Sequence, residues 1–111
     1  MTEHVDMETL QELKEVMEDE FGILIETYLE DSTMRVDALR AALVARDADE
    51  LRKAAHSFKG SCGNIGAPTL ADLCHQVESI GKAGGVDEAG PIIDMIVAEY
   101  DEVKSIMEKM L

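Results

Sequence analysis

Residues 56–67 read HSFKGSCGNIGA and place an imidazole, an ammonium group and three glycines within a few helical turns. His56 is the reactive candidate. A neutral imidazole keeps one protonated nitrogen and one with a free lone pair, so it is a nucleophile near neutral pH. Helical side chains lean toward the N-terminus, so the residue at i+4 normally covers residue i. Here Gly60 occupies that place, Gly63 follows seven residues on, and Lys59 stands three on. An interior glycine costs a helix about 1 kcal/mol relative to alanine. A helix that accepts this cost twice on one stripe leaves His56 reachable. Lys59 supplies positive charge for an incoming anionic group such as a phosphoryl.

Five helical segments position these residues. The first is expected over Met7–Met17 with Asp6 as N-cap. The second runs from near Asp19 to Ala45, with an apolar stripe through Phe21, Ile25, Tyr28, Val36, Leu39 and Leu43. The third begins at Asp47, whose partner Glu50 three residues later suggests a capping box, and runs to Gly63 or Asn64. Its inner stripe is Leu51, Ala54, Ala55, Phe58, Cys62 and Ile65. On the same wheel Arg52, His56, Lys59, Gly60 and Gly63 face solvent. A fourth helix starts at Pro68 or Thr69 and is ended by Gly81, Gly84 and Gly85. The last begins near Asp87, accepts Pro91 early and runs to the C-terminus.

Short loops between long amphipathic helices imply antiparallel neighbours. The expected fold is all-α: an antiparallel up-and-down four-helix bundle with a short extra N-terminal helix capping one end, as a single domain over residues 1–111. With the third turn near residue 66, His56 lies about ten residues before it and Glu78 about twelve after, so the two stand at similar height. His75, Glu78 and Lys82 share one flank of the fourth helix. A carboxylate accepting from one imidazole nitrogen fixes the tautomer and makes the other nitrogen the better nucleophile. No Walker-type or kinase-type glycine loop is present, so a phosphoryl group has to come from another protein.

Composition narrows the rest. Hydrophobic residues reach 46% while aromatics are 4% and Trp is absent, so the core is aliphatic. Ten Lys and Arg against 24 Asp and Glu give a net charge of -14, which disfavours nucleic acid and anionic membranes as partners. Cys62 and Cys74 without a signal peptide suggest reduced, buried thiols in a cytoplasmic protein. The seven methionines read as core filler, and His4, ahead of the first helix, as disordered. Cys74-His75 has no second pair at zinc-ligand spacing, so no metal is expected.

The run from His56 to Ala67 resembles the signature of the histidine phosphotransfer (HPt) family: His, any residue, a large apolar residue, Lys-Gly, small residues, then an apolar-Gly pair. The resemblance implies a stand-alone phosphorelay module of two-component signalling. His56 would be phosphorylated on Nε2, Lys59 would stabilise the phosphate, and Gly60 and Gly63 would give access. Lys59, His75 and Glu78 also sit at the offsets seen in the phosphotransfer domain of chemotaxis histidine kinases, which implies Glu78 as the orienting carboxylate and His75 as its helper. The implied partners are response-regulator receiver domains or a hybrid histidine kinase. The implied protein is a monomeric phosphoryl carrier rather than an enzyme, with no cofactor of its own and with Mg²⁺ supplied by the receiver. Cys62 departs from the Ser or Ala of many members. A chain starting at Met1 and ending in a completed helix reads as a whole module.

Two other classes compete. An acyl carrier needs Asp-Ser-Leu, and Asp31-Ser32-Thr33 lacks the leucine and lies in mid-helix. An acidic interaction module or DNA mimic rests on the charge alone, and it would leave His56 dispensable.

Overall fold

The computed structural model describes residues 3–111. Its helices are α1 (Met7–Met17), α2 (Phe21–Ala45), α3 (Ala48–Ile65), α4 (Pro68–Lys82) and α5 (Ala89–Glu108). A 3₁₀ turn over Glu18–Glu20 feeds α2, so α2 begins two residues later than its acidic lead-in suggests. At 1.5 Å per residue the 25 residues of α2 span about 37 Å, most of the molecule's 42 Å long axis.

Each long helix packs on its chain neighbours, and α5 closes back on α2. The result is the expected four-helix bundle. The core is aliphatic, with Ile25, Leu39, Leu51, Phe58, Leu70, Val77, Ile93, Ile96 and Val103 almost wholly buried. The inner stripes read from the 3.6-residue period face it. The methionines fill it only in part: Met107 is buried and Met17 and Met110 pack against it, but Met34 and Met95 are 67% and 55% exposed because they fall on solvent-facing helix positions. No described helix is long and apolar enough to cross a membrane.

The helix starts follow local chemistry. Asp6 accepts from the backbone N–H groups of Glu8 and Thr9. Asp47 accepts from Glu50 N at 3.0 Å. The reciprocal half of the capping box does not form, since Asp47 N already donates to Ala42 O and the Glu50 carboxylate turns toward Lys53. At the other end of α3, Gly66 takes the left-handed conformation (φ 87°) that stops the helix.

The N-terminal segment covers the α3–α4 turn. Asp6 N donates to Gly66 O at 2.7 Å, Thr69 Oγ1 donates to Glu3 O at 2.7 Å, and Val5 and Leu10 are buried. His4 is ordered rather than disordered, because its Nδ1 lies 2.7 Å from Glu99 Oε2 on α5.

Gly81 has a different place from the one its type suggests. It does not end α4 but lies inside it, against α3. A Cβ there would meet Ala48 O at 2.8 Å, Arg52 N at 2.9 Å and Arg52 Cα at 3.1 Å, all backbone atoms. The α3–α4 pair therefore leaves no room for a Cβ at this point. The helix ends one residue later, before Gly84 (φ 85°) turns the chain.

Candidate functional site

The site is a layer across the α3–α4 hairpin, one turn along from the Gly81 contact. His56 projects from α3 with its side chain 66% exposed. Its Nδ1 stands 2.7 Å from Oε2 of Glu78, on α4. A carboxylate only accepts, so Nδ1 carries the proton and Nε2 keeps the lone pair. Close packing of the two helices makes the contact direct, and the side-chain height expected from the hairpin is the height observed.

Glu78 is the hub. Its side chain is only 15% exposed, and its Oε1 stands 2.6 Å from Lys59 Nζ. The adjacent Lys59 ammonium holds the Glu78 carboxyl below its ordinary value of 4.5, assisted by the His56 hydrogen bond and opposed by burial. A depressed folded value means the carboxylate stabilises the fold fully above the ordinary range, and that contribution is lost as pH falls through the folded value. The stability difference between wild type and Glu78→Gln should therefore shrink as pH falls below 4.5. Denaturant melts from pH 7 to 3 check this.

The remaining sequence candidates divide. Lys59 joins the site, paired to Glu78 rather than free. His75 sits at its margin, with Nδ1 3.9 Å from Glu78 Oε1 and no hydrogen bond. Gly60 and Gly63 border open space, with no atom within 4 Å of where a Cβ would stand. They are not close-packing glycines, and Gly60 lines the same groove as His56. Arg52 is not part of the site, because it pairs with Asp49 at 2.9 Å. Lys82 stays in solvent.

Beneath the site Cys62 and Cys74 are free and fully buried. Cys62 Sγ lies 3.2 Å from Tyr28 Oη. A hydrogen bond with Cys62, together with burial, raises the Cys74 thiol well above its ordinary value. It therefore stays protonated and offers no competing nucleophile. No cluster of metal-binding side chains occurs among the described residues.

On the α2 side of His56 an open groove of about 660 Å³ runs between α1, α2 and α3. Its floor is apolar, formed by Leu13, Met17, Leu24, Tyr28 and Ile65, and its rim carries Asp31, Arg35 and Ser57. Arg35 Nη1 donates to Ser57 Oγ across the groove. The sequence did not single out this arginine. Asp31 lies four residues before it, so the pair reads as an ordinary surface pair on one helix, and no local signal directs the guanidinium to α3.

The helical bundle thus displays at α3 an exposed imidazole whose Nδ1 is held by a carboxylate that also pairs with a lysine. Residues 23–106 match the family model described as the Hpt domain, and the chain belongs to that family. It is thus a phosphotransfer module of two-component signalling. The structure superposes with a TM-score of 0.94 on histidine-containing phosphotransfer protein B (HptB) from Pseudomonas aeruginosa PAO1, at 38% identity, covering 99% of this chain and 96% of that one. It is also 25% identical over 104 residues to the chemotaxis protein CheA of Borreliella burgdorferi. That alignment takes in 84% of this chain but only 12% of CheA.

Proposed function

We propose that His56 is the phosphoryl carrier, exchanging the group with the aspartate of response-regulator receiver domains or of a hybrid histidine kinase. One observation carries the reading: an exposed imidazole whose Nδ1 is tied to a mostly buried carboxylate, which leaves Nε2 as the nitrogen with the lone pair. In the forward step the Nε2 lone pair attacks phosphorus of an aspartyl phosphate. The N–P bond forms, the P–O bond to the aspartate breaks, and that carboxylate departs with the electron pair. The imidazole becomes a cation that keeps its Nδ1 proton, and Glu78 lies against that charge. Phosphoryl transfer is mostly positioning and charge stabilisation. This chain supplies the nucleophile, Glu78 and Lys59. The receiver supplies the aspartate and Mg²⁺.

The apolar groove between α1, α2 and α3 adjoins His56 and is the face on which the receiver docks; the α4 flank carries the polar side chains of His75, Glu78 and Lys82 instead. The chain acts as a monomer on this reading, since the partner's acidic pocket closes over one histidine. Incubation with a phosphorylated receiver domain tests it. Acid-labile, base-stable phosphate should appear and map to His56 by mass spectrometry. Transfer to another residue would sink the reading.

The role of Glu78 has its own test. Glutamine keeps an acceptor for Nδ1–H but loses the charge, whereas alanine loses both. A hydrogen bond to a charged group contributes about 1.5–3 kcal/mol, so Glu78→Ala should slow phosphoryl uptake about tenfold or more, with Glu78→Gln in between. Single-turnover transfer from a labelled receiver measures the order.

A further inference from the structure

We propose that Arg35 is a second cation of the phosphoryl site: once His56 is phosphorylated, its guanidinium leaves Ser57 and pairs with the phosphoryl oxygens. The proposal rests on the reading of His56 as the carrier.

Charge supply comes first. Lys59, three residues after His56, is already 2.6 Å from Glu78. Together they are close to neutral, and a phosphoryl group would add about two negative charges next to a carboxylate. The rest of the protein does not help, with a net charge of -14. Arg52 and Lys53, on the turn before His56, are committed to Asp49, and Lys82, one turn beyond Glu78, extends into solvent on the α4 side. Arg35 differs from these. Among the described residues no carboxylate pairs with it, its partner is a neutral hydroxyl, and its Nε is buried without an acceptor. A guanidinium offers five donors in a fork suited to phosphate, and this one uses few of them.

Geometry supplies the path. Arg35, His56, Ser57 and Gly60 line one groove. At 100° per residue Gly60 lies about 40° from His56 and about 60° from Ser57 on the far side, so it stands between them one turn on. No atom lies within 4 Å of where its Cβ would be. The lane from Ser57 to the outer edge of His56 is therefore free of side-chain bulk. Arg35 would reach the phosphoryl from the α2 side while Lys59 stays on the α4 side with Glu78.

The test uses the intact protein and phosphoramidate, which removes any partner from the reaction. Nε2 attacks phosphorus, the P–N bond of phosphoramidate breaks, and ammonia leaves. Phosphorus NMR then follows the titration of the phosphoryl group on His56. Removing a neighbouring cation favours the protonated form, so Arg35→Ala should raise the group's proton affinity about threefold to tenfold. Arg35→Lys should restore part of the difference, and Ser57→Ala should leave the wild-type curve in place. Coincident curves for Arg35→Ala and wild type would overturn the proposal, even if that variant binds receivers poorly, because the arginine would then be a partner contact. Failure of phosphoramidate to modify His56 in wild type would remove the carrier reading itself, and the proposal with it.

Discussion

Replacing His56 with glutamine is expected to reduce phosphoryl uptake to background while the protein keeps its fold. The fold should survive because the side chain is 66% exposed and the inner stripe of α3 is formed by other residues. Surface substitutions of this kind usually change stability by less than about 0.5 kcal/mol. Function should be lost because an amide nitrogen has its lone pair delocalised into the carbonyl and is not a nucleophile. Phosphotransfer from a labelled receiver, beside a thermal melt, reads both outcomes.

The same experiment discriminates among the three histidines. His4 has almost the geometry of His56: it is 50% exposed, with Nδ1 2.7 Å from a glutamate carboxylate. Orientation is therefore not sufficient. What His4 lacks is the rest of the site. Its surroundings are Glu3, Asp6 and Glu8, and Glu102 adds to their charge. That field repels a phosphoryl dianion, whereas His56 has Lys59 close by and an open approach. His4→Gln and His75→Gln should each retain labelling. Label that persists in His56→Gln would assign the chemistry to one of them and refute the carrier role of His56.

The second large effect is expected at Gly81. Alanine in place of glycine inside a helix normally stabilises by about 1 kcal/mol. At Gly81 the sign should reverse. The new methyl would stand 2.8–3.1 Å from three backbone atoms of α3, which cannot turn aside as a side chain can. Overpacking of this kind costs about 1–3 kcal/mol, and the melting temperature should fall by roughly 5–15 °C. The displacement should also reach the site, because Gly81 lies one turn beyond Glu78 and its contact Arg52 one turn before His56. Pushing α4 outward lengthens the 2.7 Å bond from His56 Nδ1 and releases the imidazole's orientation. Slower phosphoryl uptake should accompany the lower melting temperature, with the loss of a fixed tautomer visible in imidazole nitrogen NMR. Gly60→Ala provides the contrast. It has open space around it and should stabilise the helix by up to about 1 kcal/mol while narrowing the approach to His56. A Gly81→Ala protein as stable as wild type would show that the α3–α4 spacing is not held by this residue.

Much of the bundle was legible from residue order because the forces concerned are local. Helix periodicity, the Asp6 and Asp47 caps and the short turn at Gly66 all operate within a few residues. The pairing of His56 with Glu78 was legible for the same reason: a tight turn fixes the register of a hairpin, so counting outward from residue 66 finds both side chains. The exposed stripe through Gly60 and Gly63 needed only the helical repeat.

Other features depended on how far apart two helices sit and how each is rotated, which no local pattern encodes. Gly81 reads as a helix terminator in sequence and becomes a close-approach glycine only when α3 lies against it. Lys59 is a free cation by spacing, but the tertiary structure places it on the Glu78 carboxylate. Arg35 carries no local signal, and it crosses to Ser57 on α3. His4 finds a partner in Glu99 through the packing of the N-terminal segment beside α5. By itself the sequence determined the helices, the reactive ring and the hairpin that holds its carboxylate. Interhelical distance and rotation decided which charges meet there, because those contacts join residues far apart in the chain through the packing of the whole bundle.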